Sequence, residues 1–153
     1  MPLMTGCILP SLADATEWIN GYVASDNLLG SPCIIQFWAI SCPICKINLP
    51  YLQHFLKEFQ DSGLQIVSVH MPRMEADLAL DKVKATVKEL GLNGPCAIDN
   101  NHSIGDRFET GGIWPSYFLF DAEGKLRSRA AGVVGIKMAE NSLKRLLGTG
   151  AKA

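Results

Sequence analysis

Two cysteines three positions apart, Cys42 and Cys45, lie between an apolar run and a helical pattern. The apolar run, residues 33–39, is β-branched and aromatic with almost no alternation, which predicts a strand covered on both faces. Residues 43–60 repeat apolar side chains every fourth position, which predicts an amphipathic helix. The free N–H groups at a helix start favour a thiolate over a thiol. The pattern therefore predicts two sulfurs at a strand-to-helix junction that cycle between dithiol and disulfide.

The two sulfurs are expected to have different roles. Pro43 suits the first helical turn, because the N–H that proline lacks would have no partner there. We expect Cys42 to be the exposed, attacking sulfur and Cys45 the inner, resolving one. The alternatives are a degenerate redox motif or half of a zinc site. Zinc needs about four ligands, and the sequence has no second CxxC or close Cys/His pair, so no metal site is predicted.

Length and charge indicate one soluble domain. The chain has 153 residues, 48% of them hydrophobic, and a net charge of -1, so neither nucleic acid nor an anionic membrane is an expected partner. We divide it into an N-terminal arm with a short helix (1–30), a core (31–148) and a tail (149–153), and expect a monomer. No apolar run approaches the roughly 20 residues of a spanning helix.

The expected compartment is the cytoplasm, with an extracytoplasmic location as the alternative if a leader precedes this sequence. No Lys or Arg occurs before Lys46, so the basic region of a secretory signal is missing. Five cysteines are present, and those outside the motif, Cys7, Cys33 and Cys96, are expected to be free thiols, which fit a reducing compartment.

The remaining elements alternate between strands and helices. A strand, helix, strand unit of this length implies a parallel pair with a right-handed crossover. In the 43–60 helix we expect Ile47, Tyr51, Phe55 and Phe59 to face inward and Asn48 to lie elsewhere. The predicted elements are a helix at 12–24, strands at 33–39, 64–70, 96–99, 114–120 and 125–131, helices at 77–90 and 136–147, and a helical turn at 101–109.

Several motifs together resemble the thioredoxin superfamily. These are Trp38 before Cys42-Pro43-Ile44-Cys45, Pro50 within the helix, and Trp114-Pro115-Ser116 opening a strand that ends in Asp121-Ala122-Glu123-Gly124. The extra helix and strand at 77–99 are similar to the TlpA/ResA-like branch of thiol-disulfide oxidoreductases, with an insertion of the redoxin (AhpC/TSA) type.

The resemblance implies an α/β, thioredoxin-like fold. We expect a central mixed sheet, mostly parallel with a C-terminal antiparallel hairpin, and helices on both of its faces. The inserted helix and strand should lie between the second strand of the βαβ unit and the cis-proline strand.

The resemblance also implies roles for individual residues. Pro115 matches the family's cis-proline, which lies opposite the dithiol, and Trp38 matches the tryptophan beside the cysteines. Where plain thioredoxin has a buried acid that accepts the proton of the second cysteine, this chain has Gln36, which leaves that acceptor open. The expected substrate-binding residues are Trp38, Pro43, Ile44, Trp114 and Pro115. For Trp114, simple packing in the core is an equal alternative.

His70 is a candidate for proton transfer to or from Cys45, because it ends a strand at the carboxyl edge where parallel sheets place their sites. The alternative is a loop histidine bound to nearby backbone, and the sequence favours that alternative.

We interpret the chain as a thiol-disulfide oxidoreductase, most simply a reductase, that needs no cofactor beyond its Cys42–Cys45 disulfide. Its expected partners are protein disulfides and an upstream thiol reductant. One rival is a peroxiredoxin-like thiol peroxidase, suggested by the inserted helix and strand. Another is a non-enzymatic module that binds copper(I) or a partner, because soft thiolates select that ion.

Overall fold

The protein folds around one sheet, seen in a computed structural model that describes residues 3–148. Within these residues the fold is α/β, with a six-stranded mixed sheet and four α-helices. The strands are β1 (Glu17–Ile19), β2 (Cys33–Trp38), β3 (Gln65–His70), β4 (Cys96–Ile98), β5 (Ser116–Phe120) and β6 (Leu126–Ala131). The helices are α1 (Pro43–Glu58), α2 (Leu80–Glu89), α3 (Ser103–Arg107) and α4 (Gly135–Leu147). Short 3₁₀ helices span Ser25–Leu28, Gln60–Ser62 and Glu75–Leu78. The predicted tail lies outside the described residues.

The strand order is β1-β4-β3-β2-β5-β6, with β2 at the centre. β2 pairs in parallel with β3, and β3 with β4, so β2, α1 and β3 form the predicted crossover unit. β5 and β6 form the predicted antiparallel hairpin, and β5 runs antiparallel to β2. α2 and β4 follow β3 and precede β5 in the chain. The described sheet is mixed, but the prediction that it is mostly parallel is wrong, because two of its strand pairs are parallel and three are antiparallel. β1, which was expected to be a helix, adds an antiparallel pair at the β4 edge.

The N-terminal helix predicted at 12–24 is wrong, because this segment contains a turn and the short strand β1 instead. β1 pairs antiparallel with β4, and both the amide N and the hydroxyl of Thr16 donate to the Ile98 carbonyl at 2.7 and 3.0 Å. Asn20 and Gly21 have φ of 64° and 103°, values that a right-handed helix does not contain. The weak apolar period was outweighed by the hydrogen-bonding edge that β4 presents.

β2 is covered on both sides, as its composition predicts. Its alternate side chains point to opposite faces. Ile34 packs with side chains of α1 and α4, and Trp38 packs with Val83 and Val87 of α2. On the other face, Phe37 meets the rings of Phe108 and Phe118 edge-on, with centroids 5.2 and 5.7 Å apart.

The inward face of α1 differs from the predicted one. Ile47 and Tyr51 are 66% and 55% exposed, whereas Asn48 is 4% exposed. A four-residue step turns a helix by about 400°, so side chains repeated at that interval drift around the axis by about 40° per step. The buried residues therefore follow steps of three and four, which keep to one face: Cys45, Asn48, Leu49, Leu52 and Phe55.

Candidate active site

The two motif cysteines form a disulfide where β2 passes into α1. Cys42 is the N-cap of α1 and Cys45 lies in its first turn, with Cα atoms 5.3 Å apart. Pro43 occupies the predicted first helical position. The backbone N–H of Cys45 donates to Cys42 Sγ at 3.2 Å. Cys42 Sγ therefore lies at the N-terminus of α1, where the helix carries partial positive charge. This environment stabilises a thiolate.

The disulfide is shielded from solvent, although residues beside it are accessible. Cys42 is 3% exposed and Cys45 1%, so the prediction that Cys42 is an exposed sulfur is wrong for the oxidised form. Pro43 is exposed, and Ile44 and Trp114 are half-buried. Both half-buried side chains pack against the cluster that contains the two cysteines. Pro43, Ile44 and Trp114 therefore form an accessible rim beside the disulfide.

The peptide bond between Trp114 and Pro115 is cis, as the resemblance implies. Ser116 pairs with Phe37 across β5 and β2, so Pro115 lies at the same end of the sheet as the cysteines. Trp114 Nε1 donates to the Met71 carbonyl at 2.6 Å. Trp114 is thus held between the loop after β3 and the disulfide cluster.

Trp38 and Pro115 do not reach the surface. Trp38 is 0% exposed and Pro115 is buried, so neither lies where a partner could touch it in this form. The ring of Trp38 meets that of His70 edge-on, at a centroid distance of 5.0 Å. These two predicted residues support the site from behind rather than forming its rim.

His70 holds the backbone that leads into the cysteines. Its Nε2 accepts from the Ile40 N–H at 3.1 Å, so Nδ1 carries the ring hydrogen, and Nδ1 has no hydrogen-bond partner among the described residues. Burial lowers the pKa of His70 to about 4, against the opposing effect of the Asp77 carboxylate. The ring is therefore neutral at physiological pH and bound to backbone, and a role in proton transfer stays a prediction.

A buried polar band lies beneath α1. Gln36 Nε2 donates to Ser68 Oγ at 2.8 Å, and Asn48 Nδ2 donates to the Tyr117 hydroxyl at 3.0 Å. Burial raises the pKa of Tyr117 to about 12, while its bond to Asn48 opposes the rise. The position where thioredoxin places an acid is thus filled by an amide in uncharged surroundings. A cavity of about 390 Å³ reaches Gln36 and Ser68, and neither motif cysteine lines it.

Comparison with known proteins decides the family. The model of the AhpC/TSA family matches residues 9–129. The chain belongs to the AhpC/TSA family. It is 40% identical over 140 residues to the thiol-disulfide oxidoreductase YkuV of Bacillus subtilis, covering 91% of this chain and 93% of YkuV. The protein DipZ of Mycobacterium bovis is 30% identical, covering 90% of this chain and 20% of DipZ. ResA of Bacillus subtilis, another thiol-disulfide oxidoreductase, is 29% identical over 65% of this chain and 52% of ResA.

Solved structures agree with this family. A thioredoxin-like protein in its oxidised form, solved in solution, has a TM-score of 0.84 and 39% identity, covering 93% of this chain and 95% of that one. A DsbE-like protein of Chlorobium tepidum, at a TM-score of 0.76 and 21% identity over 95% and 99% of the two chains, supports the fold alone. This AhpC/TSA-family chain therefore has a thioredoxin-like fold. It is a thiol-disulfide oxidoreductase with Cys42 and Cys45 as its CxxC active site.

The Asn48–Tyr117 bond is expected to contribute measurably to the stability of this AhpC/TSA-family protein. Asn48→Ala removes the partner of a buried hydroxyl, so we expect the free energy of unfolding in urea to fall by about 1–3 kcal/mol. Tyr51→Ala, on the exposed face of the same helix, is the matched control and should change it by less than about 0.5 kcal/mol. Equal losses in the two variants would contradict this assignment of the buried face.

The loop between β3 and α2 contains residues that contact the turn before Cys42 and that the sequence analysis missed. The buried Asp77 Oδ2 accepts from Ser41 Oγ at 2.7 Å and from the Arg73 N–H at 2.9 Å. Arg73 Nη1 donates to the Ser41 carbonyl at 2.6 Å, and His102 Nε2 contacts the Pro72 carbonyl at 2.7 Å. The sequence analysis predicted Asp77 as the first residue of a helix and gave it no other role. Nothing local indicates its contact with Ser41, 36 positions away.

The described residues contain no group of side chains that could hold a metal ion. Between residues 3 and 148, no three His, Cys, Asp or Glu side chains are grouped as a metal site requires. The same residues include no helix with both the length and the apolarity to cross a bilayer.

Proposed function

We propose that Cys42 attacks disulfides of partner proteins and that Cys45 resolves the resulting mixed disulfide. The observation that carries this order is the hydrogen bond from the Cys45 N–H to Cys42 Sγ. A sulfur that accepts an N–H at a helix start is the more stable thiolate, and it is therefore both the nucleophile and the better leaving group. Cys45, inside the first turn, is placed to attack Cys42 from the protein side.

The proposed cycle transfers two electrons. The Cys42 thiolate forms a bond to one substrate sulfur, and the substrate disulfide breaks to release a thiolate. Cys45 then loses its proton and attacks Cys42 Sγ, which forms the intramolecular disulfide and releases the second substrate sulfur. An upstream dithiol reduces the Cys42–Cys45 disulfide again, so the chain acts as a reductase in this direction.

We further propose that a partner contacts the rim formed by Pro43, Ile44 and Trp114. These are the predicted substrate-binding residues that retain exposure. Trp38 and Pro115 would act indirectly, by shaping the floor of the site. A single chain suffices for the cycle, because both sulfurs and the rim belong to one domain.

The cytoplasm is the proposed compartment, with an extracytoplasmic location as the alternative. Cys7, Cys33 and Cys96 are free thiols. Thiols left free favour a reducing environment, in which protein disulfides are substrates rather than structural bonds.

Limited alkylation tests the order of attack. We expect iodoacetamide, at a substoichiometric amount and mildly acidic pH, to label Cys42 of the reduced protein at least about ten times faster than Cys45. Peptide mass spectrometry identifies the labelled sulfur. Cys33 and Cys96 serve as internal controls, because burial raises the pKa of each to about 12 and should leave both unlabelled. Preferential labelling of Cys45 would reverse the proposed roles.

The reduction potential tests the direction of electron flow. A value near ~-270 mV in glutathione or thioredoxin buffers would support a reductase, and one near ~-120 mV would support an oxidant instead. Consumption of hydrogen peroxide without reduction of insulin disulfides would favour the peroxidase rival. Stoichiometric copper without disulfide exchange would favour the binding module.

A further inference from the structure

Arg73 places a positive charge beside the segment that carries the attacking cysteine. Its side chain is exposed, and Nη1 donates to the carbonyl of Ser41, the residue directly before Cys42, at 2.6 Å. The peptide that links Ser41 to Cys42 is thus in direct contact with a guanidinium. Arginine remains charged at every pH that a folded protein tolerates, so this charge is permanent.

Asp77 fixes the position of that arginine. Asp77 is 1% exposed, and one of its oxygens, Oδ2, accepts from the Arg73 backbone N–H, the Met74 N–H at 3.3 Å and the Ser41 hydroxyl. The same oxygen therefore ties the start of the Arg73 side chain to the residue that its guanidinium contacts. Two histidines also lie in this region: His102 contacts the Pro72 carbonyl, and His70 is neutral at physiological pH, because burial lowers its pKa to about 4.

Two opposite charges, those of Arg73 and Asp77, contact Ser41 directly before Cys42, and they lie in different environments. Asp77 offsets part of the effect of Arg73, but its charged oxygen is engaged by three donors. The Arg73 guanidinium instead bonds to the carbonyl next to Cys42. A nearby opposite charge favours the charged form of an ionisable group, and this guanidinium contacts the peptide that leads into Cys42. The net effect expected at Cys42 is stabilisation of negative charge.

We propose that Arg73 is a further residue of the active site, whose guanidinium stabilises the thiolate of Cys42, and that Asp77 is the positioning residue that holds it. The inference rests on the proposed function in one respect, namely that Cys42 is the sulfur that ionises. When two electrons reduce the disulfide, Cys42 remains as the thiolate and Cys45 takes up a proton. Stabilising that thiolate stabilises the reduced form, and it therefore makes the couple more oxidising than it would be without Arg73.

The test measures the rate at which iodoacetamide alkylates Cys42 in the reduced protein between pH 5 and 9. For Arg73→Met, which keeps the length of the side chain and removes its charge, we expect an about threefold slower rate on the acidic limb. The two profiles should converge at high pH, where Cys42 is fully ionised in both proteins. Arg73→Lys, which restores the charge, should recover most of the rate.

Salt provides a readout that a purely structural role would not change. Because the guanidinium is exposed, about 1 M salt should shrink the difference between wild type and Arg73→Met, since the screening length then falls to about 3 Å. Arg127→Met is the matched control. Arg127 pairs with Asp121 at the start of the β5–β6 turn, so its loss should leave the rate unchanged.

Each outcome decides between the proposals. Superimposed profiles for Arg73→Met and wild type would overturn the role of Arg73 and leave the proposed function intact. If Arg73→Lys fails to restore the rate and salt does not change the difference, Arg73 has a structural role only. That result also overturns its proposed role. Labelling of Cys45 before Cys42 in the wild type would instead overturn the order of attack, and peptide mapping separates that result from the others.

Discussion

Cys45→Ser is expected to leave the protein joined to its substrates, whereas Cys42→Ser is expected to abolish the reaction. Without Cys45 the first bond still forms, but nothing on the protein attacks it, so a mixed disulfide at Cys42 accumulates. Without Cys42 the nucleophile itself is lost, and we expect insulin reduction to fall at least about a thousandfold. Non-reducing gels and mass spectrometry of the trapped species measure the first effect, and insulin turbidity measures the second.

Cys33→Ala is the control for both variants. Cys33 lies on β2, the strand that leads to Cys42. Its side chain packs on the face of the sheet opposite to the one that packs against the two active-site cysteines. Burial raises its pKa to about 12, so its thiol is not expected to exchange at neutral pH. Its replacement should therefore leave turnover near the wild-type value. Substantial insulin reduction by Cys42→Ser, or trapping through Cys42→Ser rather than Cys45→Ser, would contradict the proposed mechanism.

The parts of the fold that local sequence predicts are those in which neighbours along the chain determine the outcome. β2 is a run of β-branched and aromatic residues and is buried throughout, as predicted. Cys42 and Pro43 mark the start of α1 through capping chemistry that depends on a few consecutive residues. The Trp114–Pro115 bond was predicted cis only through the resemblance, because a proline alone does not specify its isomer.

The errors arise where distant segments decide the structure. The segment around Thr16 became a strand because the edge of β4, about 80 residues later, offered hydrogen-bond partners that no local period reveals. Tyr51 was expected inside because it fits an apolar repeat, yet it is 55% exposed. Asn48 was placed outside because it is polar, and its partner, the hydroxyl of Tyr117, lies 69 positions away.

In the active site, too, the local features could be predicted and the contacts between distant residues could not. Cys42 and Cys45 are three positions apart in sequence, and their role could be predicted from that spacing. Asp77 and Arg73 reach Ser41 across more than 30 positions, and an Asp or Arg in a polar loop is usually a solvated residue. Only the packing of the loop between β3 and α2 against the turn before Cys42 distinguishes them. Through Asp77, the insertion that first served to recognise the branch of the superfamily also contacts this turn.

His70 is expected to make the stability of the protein depend on pH. The folded protein resists protonating this ring, with a pKa of about 4, whereas the unfolded chain accepts a proton at about 6.5. The unfolded state therefore binds more protons between these values. The contribution of His70 is fully present above about pH 6.5 and is lost as the pH falls towards 4. Between pH 7 and 4.5 the expected loss in the free energy of unfolding is about 2 kcal/mol.

Urea unfolding of the oxidised protein at pH 7 and 4.5 measures this loss, with His70→Gln and His54→Gln as the compared variants. His70→Gln should remove most of the pH-dependent loss, because glutamine does not titrate. His54→Gln, which changes an exposed histidine of α1, should retain it. The comparison matters because burial raises the pKa of Asp99, which stabilises the folded state on acidification and so opposes the effect in all three proteins. If His70→Gln and wild type lost the same stability between pH 7 and 4.5, the folded protein would protonate His70 as readily as the unfolded chain does. The bond from Ile40 N–H to a neutral Nε2 could not then persist, and the turn leading to Cys42 would need another support.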